Sequence, residues 1–441
     1  MKGKHRHRMI LLLLFLMAGI CGCGRTQMQE ELNDRTEEPV IIRIAWWGGE
    51  ERQEMTGQVL ELYSSMHPEV AFETLSFSWD DYFEWISLET ARGNMPDLLQ
   101  MDYQYIKTYS ENGSLADLTP YVENGTIRTE GMDENILGSG RIGGKLKGMA
   151  TGISLLSMVY NPAVFDSAGI PYPESGWTWT DFSEICRKIR VQTGKYGVAM
   201  TPVLDMNLFQ YWLRQQGEKL FSEDEKSLGY EDDALYVEYL TLFKELMDAG
   251  AAPASESWAA LNAGGQEQLP VVTGECGMMQ EWNNFAVKVS HVNSGLKIVT
   301  PPLAEEGKEP ALWMKPGMFW SIAETSEVKE ECARFIDFIL NSPEANAILR
   351  GERGVPISKE VRDRLLEGDL LEEVEQEMFR FTDEAAALCG ETPPPEPAGV
   401  EGINDAFSET ANAFFYDVLT GEEAAAEFRQ RANEILAEYG H

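Results

Sequence analysis

Eleven tryptophans stand out among the 441 residues, several of them close in sequence to carboxylates. Trp46 and Trp47 precede Glu50, Trp79 precedes Asp80, and Asp102 stands near Tyr105; Trp258, Trp282, Trp313 and Trp320 follow later. A flat indole packs against the C–H face of a sugar ring, while Asp and Glu accept hydrogen bonds from its hydroxyls. This pairing points to a polyhydroxylated solute. Carboxylates also permit hydrolysis, with a pair such as Asp80 and Glu281 acting as acid and base across a glycosidic bond. With 73 acidic residues in the chain, however, some pair always looks suitable, so that signal has little specificity. Trp85, Trp177 and Trp179 are assigned to core packing.

Other chemistries find no support. Six scattered Cys, and five His of which two fall in the first seven residues, make no zinc-ligand set, so neither a metal nor a cofactor is expected. Gly138-Ser139-Gly140-Arg141-Ile142-Gly143 matches the dinucleotide pattern GxGxxG, but lacks the strand before it and the helix after it that pyrophosphate binding needs. The segment through Lys145-Leu146-Lys147-Gly148 reads instead as a hairpin turning at Gly143-Gly144. Asn112-Gly113-Ser114 and Asn124-Gly125-Thr126 read as turns. A formal charge of −37 repels a phosphate backbone, which argues against a nucleic-acid partner.

The elements that must position these side chains alternate. Val40–Ala45 is β-branched and ends at Trp46-Trp47-Gly48-Gly49; Met55, Val59, Tyr63 and Met66 then recur at helical spacing before Pro68. Val70–Phe77 is strand-like, Asp80 caps a helix carrying Phe83 and Ile86, and Leu98–Met101 is a buried strand. From Leu155 a second unit begins, with a strand over Ser157–Tyr160, a helix opened by Trp177–Asp181 and a strand over Tyr196–Met200. Later helices span Ala234–Met247, Val328–Leu340 and Gly402–Leu419, and Pro393–Pro397 is a rigid loop. Alternation of this kind predicts an α/β fold with mainly parallel sheets, whose ligands sit beyond the carboxyl ends of the strands. Trp46, Trp47, Trp79, Asp80 and Asp102 fall at those ends. At this length, two lobes are expected.

Lys2, Lys4, Arg6 and Arg8 precede an apolar run, Met9–Gly19, too short to span a bilayer, which reads as an export signal. Ile20-Cys21-Gly22-Cys23 resembles the bacterial lipobox, with Cys23 as the lipidated residue after a 1–22 signal peptide and residues 23–39 as a flexible tether. Removing that signal takes away four cations and no anion, so the exported body is still more acidic. Cys186, Cys276, Cys332 and Cys389 are compatible with one or two disulfides or with four buried thiols.

The body resembles the extracellular solute-binding proteins of bacterial ABC importers, in the carbohydrate-binding family that includes the maltose-binding protein. The carrying segments are Ile41–Gly48, Met95–Leu99, Gly144–Met149 leading to Met158–Asn161, Val272–Met279 leading to Trp282, Ala333–Phe338 and Gly351–Pro356. The resemblance implies a two-lobe fold, each lobe a mainly parallel sheet flanked by helices, joined by a hinge. Residues 40–150 with 301–350 would form lobe 1, and 151–300 with 351–441 lobe 2. Chain crossings would lie near Ala150–Ile153, Val299–Pro302 and Arg350–Pro356.

It also implies ligand-binding roles for Trp46, Trp47, Glu50, Asp80, Asp102, Trp282, Gly317 and Trp320, to which the residue pattern adds Trp79, Tyr105 and Trp258. Ser154, and Phe407 or Ser408, depart from the maltose binder, which argues against maltose itself. The implied protein is a monomeric, non-enzymatic receptor, lipid-anchored on the outer face of the cytoplasmic membrane. It would bind a sugar or oligosaccharide and deliver it to the transmembrane subunits of an ABC permease. A non-sugar solute on the same fold and a surface-anchored glycosidase are the alternatives.

Overall fold

Two open sheets organise the chain. The structure, a computed structural model, describes residues 39–199, 206–262, 264–304 and 311–439, without the side chains of Asp80, Glu256, Ala259 and Asn262. The expected signal peptide and the lipidated Cys23 lie outside the described residues, as does the tether up to residue 38. Residues 39–441 form a compact unit of their own.

The strands are β1 (Val40–Trp47), β2 (Val70–Phe77), β3 (Leu98–Met101), β4 (Arg141–Ile142), β5 (Lys145–Leu146), β6 (Met149–Ala150) and β7 (Ile153–Ser154). They continue with β8 (Leu156–Tyr160), β9 (Tyr196–Val198), β10 (Cys276–Trp282), β11 (Lys297–Val299), β12 (Lys315–Pro316) and β13 (Phe319–Ile322). The first sheet has the order β2-β1-β3-β13-β6, and the second β11-β8-β10-β9. β1 is parallel to β2 and β3, while β13, which joins late in the sequence, runs antiparallel to β3 and β6. In the second sheet β9 and β10 are parallel, and β8 is reversed against β10 and β11. Each sheet therefore contains one reversed strand within the expected α/β arrangement.

Local sequence explains the elements. Ile42 and Ile44 are fully buried on one face of β1 and Ala45 on the other, as expected of a strand covered by helices on both sides. The helix Glu50–Met66 buries Thr56, Val59, Leu60 and Tyr63 at helical spacing and stops before Pro68. The next helix, Trp79–Arg92, is capped by Ser78 rather than by Asp80: Ser78 is extended, and its Oγ accepts from the Asp81 amide at 3.3 Å. Thr178 and Asp181 form a capping box at the start of the helix Trp179–Thr193.

β4 and β5 pair as a hairpin, with Gly143 and Gly144 at φ 58° and 77°, so this segment turns where a dinucleotide loop would have to enter a helix. The two Asn-Gly-Ser/Thr segments are Asx turns, Asn112 accepting from the Ser114 amide at 3.0 Å and Asn124 from that of Thr126 at 2.9 Å.

Three backbone segments meet between the sheets. Ile153 and Val355 exchange amide–carbonyl bonds of 2.7 and 3.0 Å, and the Gly317 amide donates to the Gly152 carbonyl at 2.9 Å. A Cβ on Gly152 would stand 2.4 Å from the Arg353 carbonyl oxygen, so only glycine permits this approach. Residues 299–302, where a crossing was expected, stay against the second sheet's helices: the Trp177 indole donates to the Thr300 carbonyl and the Gln215 amide to that of Pro302. The segment knitted to the other two is 315–318.

A buried polar chain ties this junction to the first sheet. Arg353 donates to Gln100 Oε1 at 3.1 Å and to Thr56 Oγ1 at 2.6 Å, while Arg52 bonds Glu352 at 2.6 Å and the Trp47 carbonyl at 3.2 Å. Burial draws the Arg353 guanidinium down to a pKa of about 10. Cys186, Cys276 and Cys332 are buried thiols and Cys389 a half-buried one; all four are free.

Candidate functional site

A cavity of about 360 Å³ is walled by four segments. The first is the start of the helix Tyr103–Glu111, which leaves the carboxyl end of β3 and contributes Asp102, Tyr103 and Gln104. Asp102 caps this helix, accepting from the Gln104 amide at 2.8 Å. Burial raises its pKa, an effect that the nearby Lys315 charge opposes.

The second wall is the helix Met206–Gln215, continued by residues 219–225. Met206, Leu208, Phe209, Tyr211 and Leu213 are buried, whereas Asn207, Gln210 and Arg214, at i, i+3 and i+7, line the cavity. The third wall runs from Trp313 to Gly317 through Lys315, whose Nζ lies 4.8 Å from the centre of the Trp282 ring. The fourth is the loop 391–397. It is anchored by the Tyr103 hydroxyl, which donates to the Pro393 carbonyl, by Thr392 Oγ1, which donates to the Met314 carbonyl at 2.9 Å, and by Arg214, which donates to the Glu391 carbonyl at 2.8 Å. Lys107, on the first wall's helix, pairs with Glu225 of the second at 2.7 Å.

Beside the first wall stands an aromatic ledge. Trp47 meets Trp79 edge-on at 5.1 Å and Phe83 at 5.4 Å, and Tyr105 lies 4.2 Å from Phe83. Trp47 is buried, but Trp79 is 40% exposed at the edge of the group.

The sequence pattern of the bacterial extracellular solute-binding proteins matches residues 58–374. The chain belongs to that family. Several solved structures share the fold of this solute-binding protein. A family 1 extracellular solute-binding protein from Alicyclobacillus acidocaldarius is 27% identical with a TM-score of 0.81, over 91% of this chain and all (100%) of that one. A periplasmic oligogalacturonide-binding protein from Yersinia enterocolitica is 22% identical with a TM-score of 0.77, over 91% and 100% of the two chains. An ABC substrate-binding protein from Listeria monocytogenes in complex with cycloalternan is 20% identical with a TM-score of 0.69, over 90% and 99%. Among sequence relatives, a Streptomyces antibioticus lipoprotein is 22% identical over 290 residues, 61% of this chain and 58% of its own length.

Of the residues expected to bind ligand, the solute-binding protein brings Asp102 and Gly317 into the cavity, with Trp282 behind Lys315. Trp47, Trp79 and Tyr105 form the ledge. Trp46, Trp258 and Trp320 belong to the core instead, at 3%, 7% and 0% exposure. Trp46 lies in a strand covered on both faces, and Trp320 lies in β13, between β3 and β6. Glu50 is exposed at the first turn of its helix and does not line the cavity; the Asp80 side chain lies outside the described residues. Trp85, Trp177 and Trp179 pack as assigned, Trp85 stacked on Phe77 at 4.6 Å and the other two buried.

Sequence reasoning missed Asn207, Gln210, Arg214, Lys315 and the cavity-facing role of the 391–397 loop. The one available signal was the polar i, i+3, i+7 stripe on a helix that is otherwise apolar up to Leu213.

Proposed function

We propose that this solute-binding protein is the lipid-anchored receptor of an ABC importer, capturing a sugar or oligosaccharide in the cavity and handing it to a membrane permease. The observation that carries the reading is the make-up of the cavity: hydrogen-bonding side chains on the helix Met206–Gln215 line it together with a wall that begins at the end of β3, beside an aromatic ledge. Amide, carboxylate and guanidinium groups suit ring hydroxyls, and aromatic faces suit the C–H faces between them. The oligogalacturonide and cycloalternan binders that share the fold support the same class of ligand, and the lipoprotein relative supports the anchor at Cys23.

The three knitted segments, 150–154, 315–318 and 351–356, would serve as the hinge, which moves residues 301–314 from lobe 1 to lobe 2. A ligand touching both walls then favours the closed form, because only unequal affinity for the two forms shifts their balance.

The test is the thermal unfolding of residues 39–441 with a panel of mono- and oligosaccharides, with amino acids, peptides and polyamines as controls, each mixture analysed for turnover. A saccharide at about 100 times its dissociation constant should add roughly 2.7 kcal/mol. Stabilisation with the sugar recovered intact is the expected result. Cleavage of the sugar would make the protein a glycosidase, and stabilisation by non-sugars alone would overturn the carbohydrate reading.

A further inference from the structure

The chain has 73 acidic and 36 basic side chains, and many of its cations pair with carboxylates. Arg52 has Glu352, Lys107 has Glu225, Lys219 has Glu223 and Arg362 has Asp383. Arg214 and Lys315, both on the cavity wall, form no ion pair among the described residues.

Each is held in place without a carboxylate at ion-pair distance. Arg214 donates from Nε to the Ala311 carbonyl at 2.8 Å and from Nη2 to that of Glu391 at 2.8 Å, with its guanidinium 5.5 Å from the Trp313 ring centre. Lys315 belongs to β12, which pairs with β7, and its ammonium rests over Trp282. Carbonyl dipoles and a ring face offset part of the cost of withdrawing a cation from water, but an anion offsets far more.

The acids of the same walls are otherwise engaged or stand in solvent. Asp102 caps its helix and acts on Lys315 from beyond ion-pair distance, as the exposed Glu391 does on Arg214, while Glu223 and Glu225 sit in ion pairs with lysines. The missing counter-charge is therefore one that a ligand can bring.

We propose that the saccharide taken by this cavity carries a carboxylate, as a uronic acid unit does, and that Lys315 and Arg214 receive that anion while Asn207 and Gln210 meet the hydroxyls. This rests on the saccharide reading above and narrows it. The acidic body repels anions at a distance, so recognition comes from these two contacts rather than from long-range attraction.

The test is calorimetric titration of residues 39–441 with di- to tetrasaccharides of galacturonic, glucuronic and mannuronic acid, the same oligomers as methyl esters, and neutral oligomers of equal length. One of the acids should bind at least about tenfold more tightly than its ester, a difference of about 1.4 kcal/mol. Lys315→Met should bring the acid's affinity down to that of the ester.

Arg214→Gln should act in the same way, but it also releases the Ala311 and Glu391 carbonyls. Lys315→Met, which keeps apolar bulk over Trp282, is therefore the deciding variant, with its melting temperature as the check on folding. Equal binding of ester and acid, or acid binding untouched by Lys315→Met, overturns the proposal and leaves a neutral-sugar receptor. Failure of every saccharide, acidic or neutral, overturns the receptor reading as well.

Discussion

The aromatic ledge and the polar helix face both belong to the region of the cavity, but they are built in opposite ways. In the ledge the side chains satisfy one another: Trp47 touches Trp79, Tyr82 and Phe83, and Tyr105 touches Phe83. Its geometry is set before any ligand arrives, and it is part of the core. On the helix Met206–Gln215 the apolar residues turn inward, and Asn207, Gln210 and Arg214 line the cavity. The ledge is thus a structural element with an exposed edge at Trp79, whereas the helix face can change without opening the core. Stability and binding should separate along this line.

The largest effect should come from Trp47→Ala. Removing a buried indole from the centre of the ledge costs about 3–5 kcal/mol, which denaturant unfolding would show as a lowered midpoint at unchanged slope. A loss under 1 kcal/mol would mean that the ledge is not part of the core.

Gln210→Ala tests the other side of the comparison. It should leave unfolding within about 0.5 kcal/mol of the parent, since it changes no buried apolar contact, and weaken the tightest saccharide about tenfold in calorimetry. Lost stability with unchanged affinity would reverse the roles of the two regions.

Asp102 lies beside both. Burial raises its pKa, so the stability linked to this carboxyl is full below the unfolded value of about 3.9 and is lost as pH rises through the folded value. Asp102→Asn keeps a capping side chain. It should therefore match the parent in acid and gain on it toward neutral pH in unfolding measured as a function of pH. A gain confined to acid would give the shift the wrong sign.

The smallest effect belongs to Lys107→Met, which breaks the half-exposed pair with Glu225. It should cost about 0.2–1 kcal/mol, less at high salt. A loss that persists in 1 M salt would show that packing, not charge, joins these walls.

The difference between the two regions also marks how far the sequence could be read. β-branched runs, helical spacing and the Thr178–Asp181 box identify β1, β2, β3, β8 and their helices, and Gly143-Gly144 announces its hairpin, because these signals are local. Trp46, Trp47 and Trp320 are equally visible, but sequence cannot tell an indole facing a cavity from one in a strand covered on both sides. Burial is decided by what packs over the strand.

The helix Met206–Gln215 and the 391–397 loop lie far apart in the chain, and only the fold sets them around one cavity with Asp102. Arg214 drew no notice because an isolated arginine has no pattern. Its place between the Ala311 and Glu391 carbonyls is what makes it distinctive. Similarly, the crossing at 315–318 depends on hydrogen bonds to residues 151–152, about 165 positions earlier in sequence.

The most direct measurement is a crystal structure of residues 39–441 with the saccharide that stabilises it most. Sugar density between Asp102 and Lys315 on one side and Gln210 and Arg214 on the other, with an aromatic face against a ring, is the result expected of a receptor that closes on its solute. Density bound elsewhere on the surface, with this cavity filled only by water, would contradict it.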